Sequence, residues 1–191
     1  YCEPKQVYYQ MKRSYRTVLV TFTQNRAGNT ELVVVNDGLT PYTSDIVYGV
    51  RTLGGKTISQ RSVGVQDLVN GVRKFTVDEA CGADQYLYAE YTLNGRTQTN
   101  VYSPTMWSNC AFESDYTVEI RQIDGTHAEI TVSAKQFAKG VFVHFPDNYR
   151  YDYDDNYVDI QAGETTTIRV SADDPFDVAT VTVDDFAKST R

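Results

Sequence analysis

Rings and carboxylates lie closest together in Asn148–Glu164, which reads NYRYDYDDNYVDIQAGE. Tyr149, Tyr151 and Tyr153 alternate with Arg150 and Asp152, so on an extended strand the three rings point to one side. Aromatic faces in such a row form a platform on which a pyranose ring can stack, which makes these three tyrosines candidate carbohydrate contacts. Asp152, Asp154 and Asn156 also alternate, and several oxygen donors in a row suggest calcium. The glycine that a D-x-[DN]-x-[DN]-G loop requires is Tyr157 here. The acidic corner Asp154–Asn156 therefore reads as structural, and no metal ligand or cofactor is assigned.

Paired carboxylates can also cleave a glycosidic bond. A retaining glycosidase needs two of them about 5 Å apart, one with a raised pKa. Asp152, Asp154 and Asp155 read as an exposed corner, where carboxylates stay ionised and serve poorly as acids. His127 and His144 fall on different strands, with no cysteine or carboxylate at ligand spacing. His144, in VFVHF, reads as an outward-facing strand residue. No G-x-S-x-G, P-loop or H-E-x-x-H is present, and no residue is assigned a catalytic role.

The elements that must position these residues are strands. Only Pro4 and the following KQVYYQMKRSY read as helix, with Pro in the first turn and Lys12 and Arg13 at the C-terminal end. Val7, Tyr8 and Met11 share one face of it at i, i+1 and i+4. From Arg16 the period becomes two. Strands are expected at 17–24, 31–37, 45–53, 56–63, 72–77, 85–93 and 96–102, with Gly54-Gly55 and Asn94-Gly95 as two-residue hairpin turns. That is the strand count and size of an immunoglobulin-like sandwich. After a break rich in Pro, Ser and Asn, further strands are expected at 116–122, 128–134, 140–145, 157–160, 165–171 and 178–185. The resulting expectation is an all-β chain of two consecutive immunoglobulin-like β-sandwich domains. Residues 1–14 form the tail of an upstream element, 15–103 the first sandwich, 104–115 a linker, and 116–191 a second, smaller sandwich.

Charge narrows the function classes. Residues 1–110 hold 11 Lys and Arg against 9 Asp and Glu, whereas residues 111–191 hold 7 against 16. Without a cluster of Lys and Arg, the chain lacks the footprint of a nucleic-acid binder. No apolar run approaches the roughly 20 residues of a membrane helix. Cys2, Cys81 and Cys110 are too few and too scattered for a zinc site, and allow at most one internal pair, which the sequence does not decide. The chain opens at Tyr1 without an initiator Met, as expected of a piece of a longer protein.

Three stretches carry a family resemblance. Glu3–Arg13 resembles the segment where the catalytic barrel of glycoside hydrolase family 2 passes to its C-terminal sandwiches. Tyr15–Asp37, ending in Val34-Val35-Asn36-Asp37, resembles the first two strands that follow. Phe142–Glu164 carries the most specific match. Its Asp155-Asn156-Tyr157, Asp159-Ile160 and Gly163-Glu164 are similar to the S-D-N-Y-F-D-L-x-x-G-E pattern of the last domain in β-mannosidase-type members, departing at Asp154 and Val158. The resemblance implies a non-catalytic C-terminal accessory region of a retaining exo-glycosidase of the β-mannosidase or exo-β-glucosaminidase type. Its partner would be the upstream catalytic barrel of the same polypeptide, and its setting periplasmic, extracellular or lysosomal. Two other readings are an independent carbohydrate-binding module and a bacterial surface or adhesion sandwich.

Overall fold

The computed structural model describes residues 4–146 and 150–189. Their contacts divide into two compact units. One is Ser14–Ala111; the other joins the N-terminal segment through Arg13 to the chain from Phe112 onward.

The first unit holds seven strands: β1 (Val18–Gln24), β2 (Thr30–Asn36), β3 (Tyr42–Thr52), β4 (Thr57–Leu68), β5 (Gly71–Thr76), β6 (Gln85–Leu93) and β7 (Arg96–Tyr102). They form a three-stranded sheet, β1-β2-β5, and a four-stranded sheet, β4-β3-β6-β7. Alternation assigns the inner faces. Val18, Val20 and Phe22 of β1 meet Leu32 and Val34 of β2, and Ile46, Tyr48 and Val50 of β3 meet Leu87 and Ala89 of β6 in one core. Asn94 and Gly95 both take positive φ (53° and 72°) between Leu93 and its partner Arg96, which is the expected two-residue turn. The Gly54-Gly55 connection is longer. Its last strand pair is Arg51 with Thr57, closed by Thr52 N donating to Lys56 O at 2.9 Å, and only Gly55 takes positive φ. Gly49 has no room for a side chain, because a Cβ there would lie 2.0 Å from the Ser59 carbonyl oxygen.

The second unit consists of α1 (Gln6–Ser14, of which Ser14 groups with the first unit) and strands β8 (Tyr116–Gln122), β9 (His127–Ala134), β10 (Ala138–His144), β11 (Asp152–Tyr153), β12 (Val158–Ile160), β13 (Thr165–Ser171) and β14 (Thr182–Asp184), closed by the short α2 (Phe186–Ser189). The sheets run β11-β13-β9-β8 and β12-β10-β14. Ile130 and Val132 of β9, Ile168 and Val170 of β13, and Val141 and Val143 of β10 fill the core between them. The strand expected over 178–185 is shorter. Asp177 accepts from Ala179 N at 2.9 Å, turning Val178–Thr180 into a 3₁₀ turn before β14 begins. Both units are antiparallel sandwiches, and the all-β, immunoglobulin-like expectation holds. None of the helices among the described residues is long and apolar enough to cross a membrane.

The face shared by Val7, Tyr8 and Met11 is not the one that α1 buries. Val7, Tyr8 and Met11 are 65%, 52% and 49% exposed, while Tyr9 is buried in the core of the second sandwich. Tyr9 and Arg13, four residues apart, define the docked face.

Candidate functional site

The corner at 154–157 is built from short side chains that substitute for strand hydrogen bonds. Asn156 is 2% exposed. Its Oδ1 accepts from Val143 N at 2.9 Å and from Tyr157 N at 3.1 Å, and its Nδ2 donates to Val143 O at 2.9 Å. One amide thus pairs with β10 as a strand residue would, at the point where the chain turns too sharply for a strand. Asp154 Oδ1 accepts from Asp155 N and Arg169 N, each at 2.8 Å. Asp159 accepts from Gly140 N at 2.9 Å and pairs with Lys139 at 2.7 Å. Tyr157 sits at φ 54°, a left-handed conformation that a bulky residue adopts only when its surroundings impose it. Gly163, at φ 82°, completes the turn into β13, and its N donates to Ala134 O at 2.8 Å.

The outer side of this corner grips α1. Arg13 Nη1 bonds Asp155 Oδ1 at 2.5 Å and Asn156 O at 3.2 Å; its Nη2 donates to Tyr157 O at 3.0 Å. Lys12 Nζ donates to Asp154 O at 2.7 Å. A planar, multiply bonding guanidinium suits a cluster of carbonyls beside a carboxylate. Of the side chains that suggested calcium, Asp154 and Asn156 are thus engaged with backbone N–H groups, and Asp152 lies 3.4 Å from Arg150. Among the described residues, no group of three His, Cys, Asp or Glu side chains is placed to hold a metal ion.

Two of the three tyrosines of the expected platform do not stand at the surface. Tyr151 and Tyr153 are buried (3% and 9% exposed) and belong to the core of the second sandwich. Tyr151 stacks on Phe145 with centroids 4.0 Å apart and meets the edge of Phe176 at 5.4 Å, so its faces are covered. Tyr149 lies outside the described residues. A different aromatic row exists. His144, Phe142 and Tyr157 stack in succession at 5.3 and 4.8 Å, and Tyr9 follows at 5.9 Å. The row is not legible in the sequence because its members lie far apart along the chain; the Phe142/His144 alternation on one strand is the visible part. Phe142 lies between His144 and Tyr157 in this row, so it offers no free face on which a sugar could stack. His144 does point outward, and its Nε2 lies 3.0 Å from Asp184, a carboxylate 40 residues away.

An open depression of about 720 Å³ lies over β11, β13, β9 and β8, lined among others by Arg121, His127, Glu129, Asp152, Tyr153 and Arg169. Glu129 bridges Arg121 and Arg169, and Arg169 reaches Asp154 Oδ2 at 3.4 Å. The hydrogen bond from Arg121 leads in holding the Glu129 carboxyl below its usual value, against the opposing effect of burial. The Asp124 carboxyl is also lowered, first by the Thr126 backbone N–H and then by His127. In the first unit Glu31 is lowered by Asn25 and Lys74. Among the described residues, every shift resolved at a carboxyl is downward, opposite to that of a general acid.

The Ig_mannosidase family model, an Ig-fold domain, matches residues 113–189. Among solved structures, a β-D-mannosidase from Dictyoglomus thermophilum superposes with TM-score 0.70 at 17% identity, over 94% of this chain and 23% of its own. An exo-chitosanase from Amycolatopsis orientalis superposes with TM-score 0.62 at 15% identity, over 93% of this chain and 26% of its own. The chain thus spans about a quarter of the length of these structures. No curated protein matches by sequence. The resemblance to the β-sandwich domains of β-mannosidase-type family 2 glycoside hydrolases is borne out, through the family model over the second sandwich and through the fold over nearly the whole chain.

Proposed function

We propose that this chain, whose residues 113–189 carry the mannosidase-type Ig-fold domain, is a non-catalytic accessory region bracing the catalytic barrel of a retaining exo-glycosidase. The observation that carries the bracing role is the helix. Arg13 and Tyr9 hold α1 on the second sandwich, while Val7, Tyr8 and Met11 form an exposed apolar strip. Such a strip is unfavourable in water and is the kind of surface another domain covers.

Two measurements test the reading. The isolated chain is expected to leave aryl β-mannoside and aryl β-glucosaminide unhydrolysed; turnover overturns the non-catalytic assignment. In the full-length polypeptide, Tyr8→Asp combined with Met11→Asp is expected to lower Tm, while the same pair changes the isolated chain by less than about 2 °C. Equal effects in both would remove the bracing role.

The open depression favours a second reading, carbohydrate contact, because Arg, Asp and Glu side chains in a shallow groove suit paired sugar hydroxyls. NMR titration with mannan or chitosan oligosaccharides tests it through shifts of the β9 and β13 amides. Silence there rejects it and leaves the bracing role untouched.

A further inference from the structure

Two of the three cysteines, Cys81 and Cys110, belong to the first unit, where both are free thiols. Cys81 lies between β5 and β6, half-buried against the core. Cys110 closes the 3₁₀ turn Trp107–Asn109, its N donating to Trp107 O at 3.1 Å, and is buried at 9% exposure. The Asp84 side chain links the two segments. Asp84, in the turn after Cys81, is anchored by Leu53 N donating to its carbonyl at 3.0 Å, and its Oδ1 accepts from Ala111 N at 3.4 Å. The residue after Cys110 therefore rests on the turn that follows Cys81. The Gly82 N–Gln85 Oε1 bond of 2.9 Å and the Gln85 N–Gly82 O bond of 3.2 Å hold that turn in shape.

We infer that Cys81 and Cys110 are a cross-linking site, joined as a disulfide when the protein folds in an oxidising compartment. The bond pins the segment leaving β7, Ser103–Ala111, to the sandwich it has just completed. Burial first, and the neighbouring Cys110 second, push the Cys81 thiol up to about 11. The attacking species is the thiolate, so the bond forms readily while Cys81 is still exposed during folding and slowly afterwards. The step balances against a small-molecule disulfide such as oxidised glutathione. One cysteine thiolate attacks it, releasing one glutathione and forming a mixed disulfide. The second attacks the mixed disulfide, forming the Cys81–Cys110 bond and releasing the other glutathione. Two electrons pass from the cysteines to glutathione, and the two thiol protons end on its sulfurs.

Such a bond closes a loop of about 29 residues, long enough for a sizeable restriction of the unfolded chain. It also fits the periplasmic, extracellular or lysosomal setting and is foreign to a reducing cytosol. The test refolds the chain in a buffer of reduced and oxidised glutathione, alkylates the remaining thiols and maps peptides by mass spectrometry. The expected result is one linked pair, Cys81–Cys110, in the folded monomer, with Cys2 alkylated. Separately alkylated Cys81 and Cys110 in that monomer, or a bond from Cys2 to either, overturns the inference. Dithiothreitol supplies a second readout that needs no variant. It is expected to lower the Tm of the first sandwich by about 5 °C or more, and an unchanged Tm counts against the bond.

Discussion

Each sandwich turns a strand end with one buried asparagine, and the two do so differently. In the first, Asn36 (1% exposed) donates to Thr40 O at 2.9 Å and Leu68 O at 2.7 Å and accepts from Gly38 N at 2.9 Å. All its partners belong to its own continuous unit. In the second, Asn156 ties the corner to β10, and the outside of the same corner receives Arg13 from 142 residues away. The first sandwich is closed by its own sequence, whereas the second is closed by a helix lying before the first. A buried polar amide thus does the same local job in both, and the difference lies in whether the surrounding turn also serves as a receptor.

The comparison breaks most severely where backbone meets backbone. Gly49→Ala places a methyl 2.0 Å from Ser59 O and is expected to destabilise the first sandwich by about 4 kcal/mol or more. Calorimetry with two resolvable transitions checks that only one falls. Asn156→Ala removes three hydrogen bonds and leaves Val143 N and O unpaired in the interior, so a loss of about 3 kcal/mol confined to the second sandwich is expected in urea unfolding. Arg13→Ala is milder, about 1–2 kcal/mol, since the group is partly exposed and the pair with Asp155 is worth about 1 kcal/mol at most. A double-mutant cycle with Asp155→Ala isolates that pair, and coupling near zero would show that the carbonyl contacts alone hold the helix.

The smallest effect is in pH. The folded-state pKa of Glu129 is depressed, so its contribution is present above the usual glutamate value of 4.5 and disappears as pH falls through the lowered one. Glu129→Gln is therefore expected to flatten the acid limb of the second transition below about pH 4.5, and salt is expected to shrink the difference. An identical acid limb in both proteins would remove the Arg121–Glu129–Arg169 row from the account.

Period-two patterning was enough to read most strands, and Asn94-Gly95 was legible because only a few residues accept positive φ at both turn positions. The tyrosines mark where local reading stops. Alternation says that Tyr151 and Tyr153 share a face, and they do, but it does not say which face meets the core. The same limit applies to α1. Val7, Tyr8 and Met11 form the more apolar stripe, yet Tyr9 and Arg13 win the docked face because the corner offers a hydrophobic slot and a set of oxygens at that spacing. The DNY-x-D-x-x-x-GE motif was readable as a hallmark of a domain type. Its physical content, one asparagine paired with a strand and an acidic turn clasping a distant arginine, depends on contacts across 13 and 142 residues.

The account rests on the second sandwich being completed by the helix, and deletion of residues 1–13 tests this most directly. Followed by calorimetry or native-state hydrogen exchange, the truncated chain should keep the first transition and lower the second, with a synthetic peptide of residues 4–14 restoring it in a saturable manner. A second transition unchanged by the deletion, or both transitions lowered together, would contradict the account.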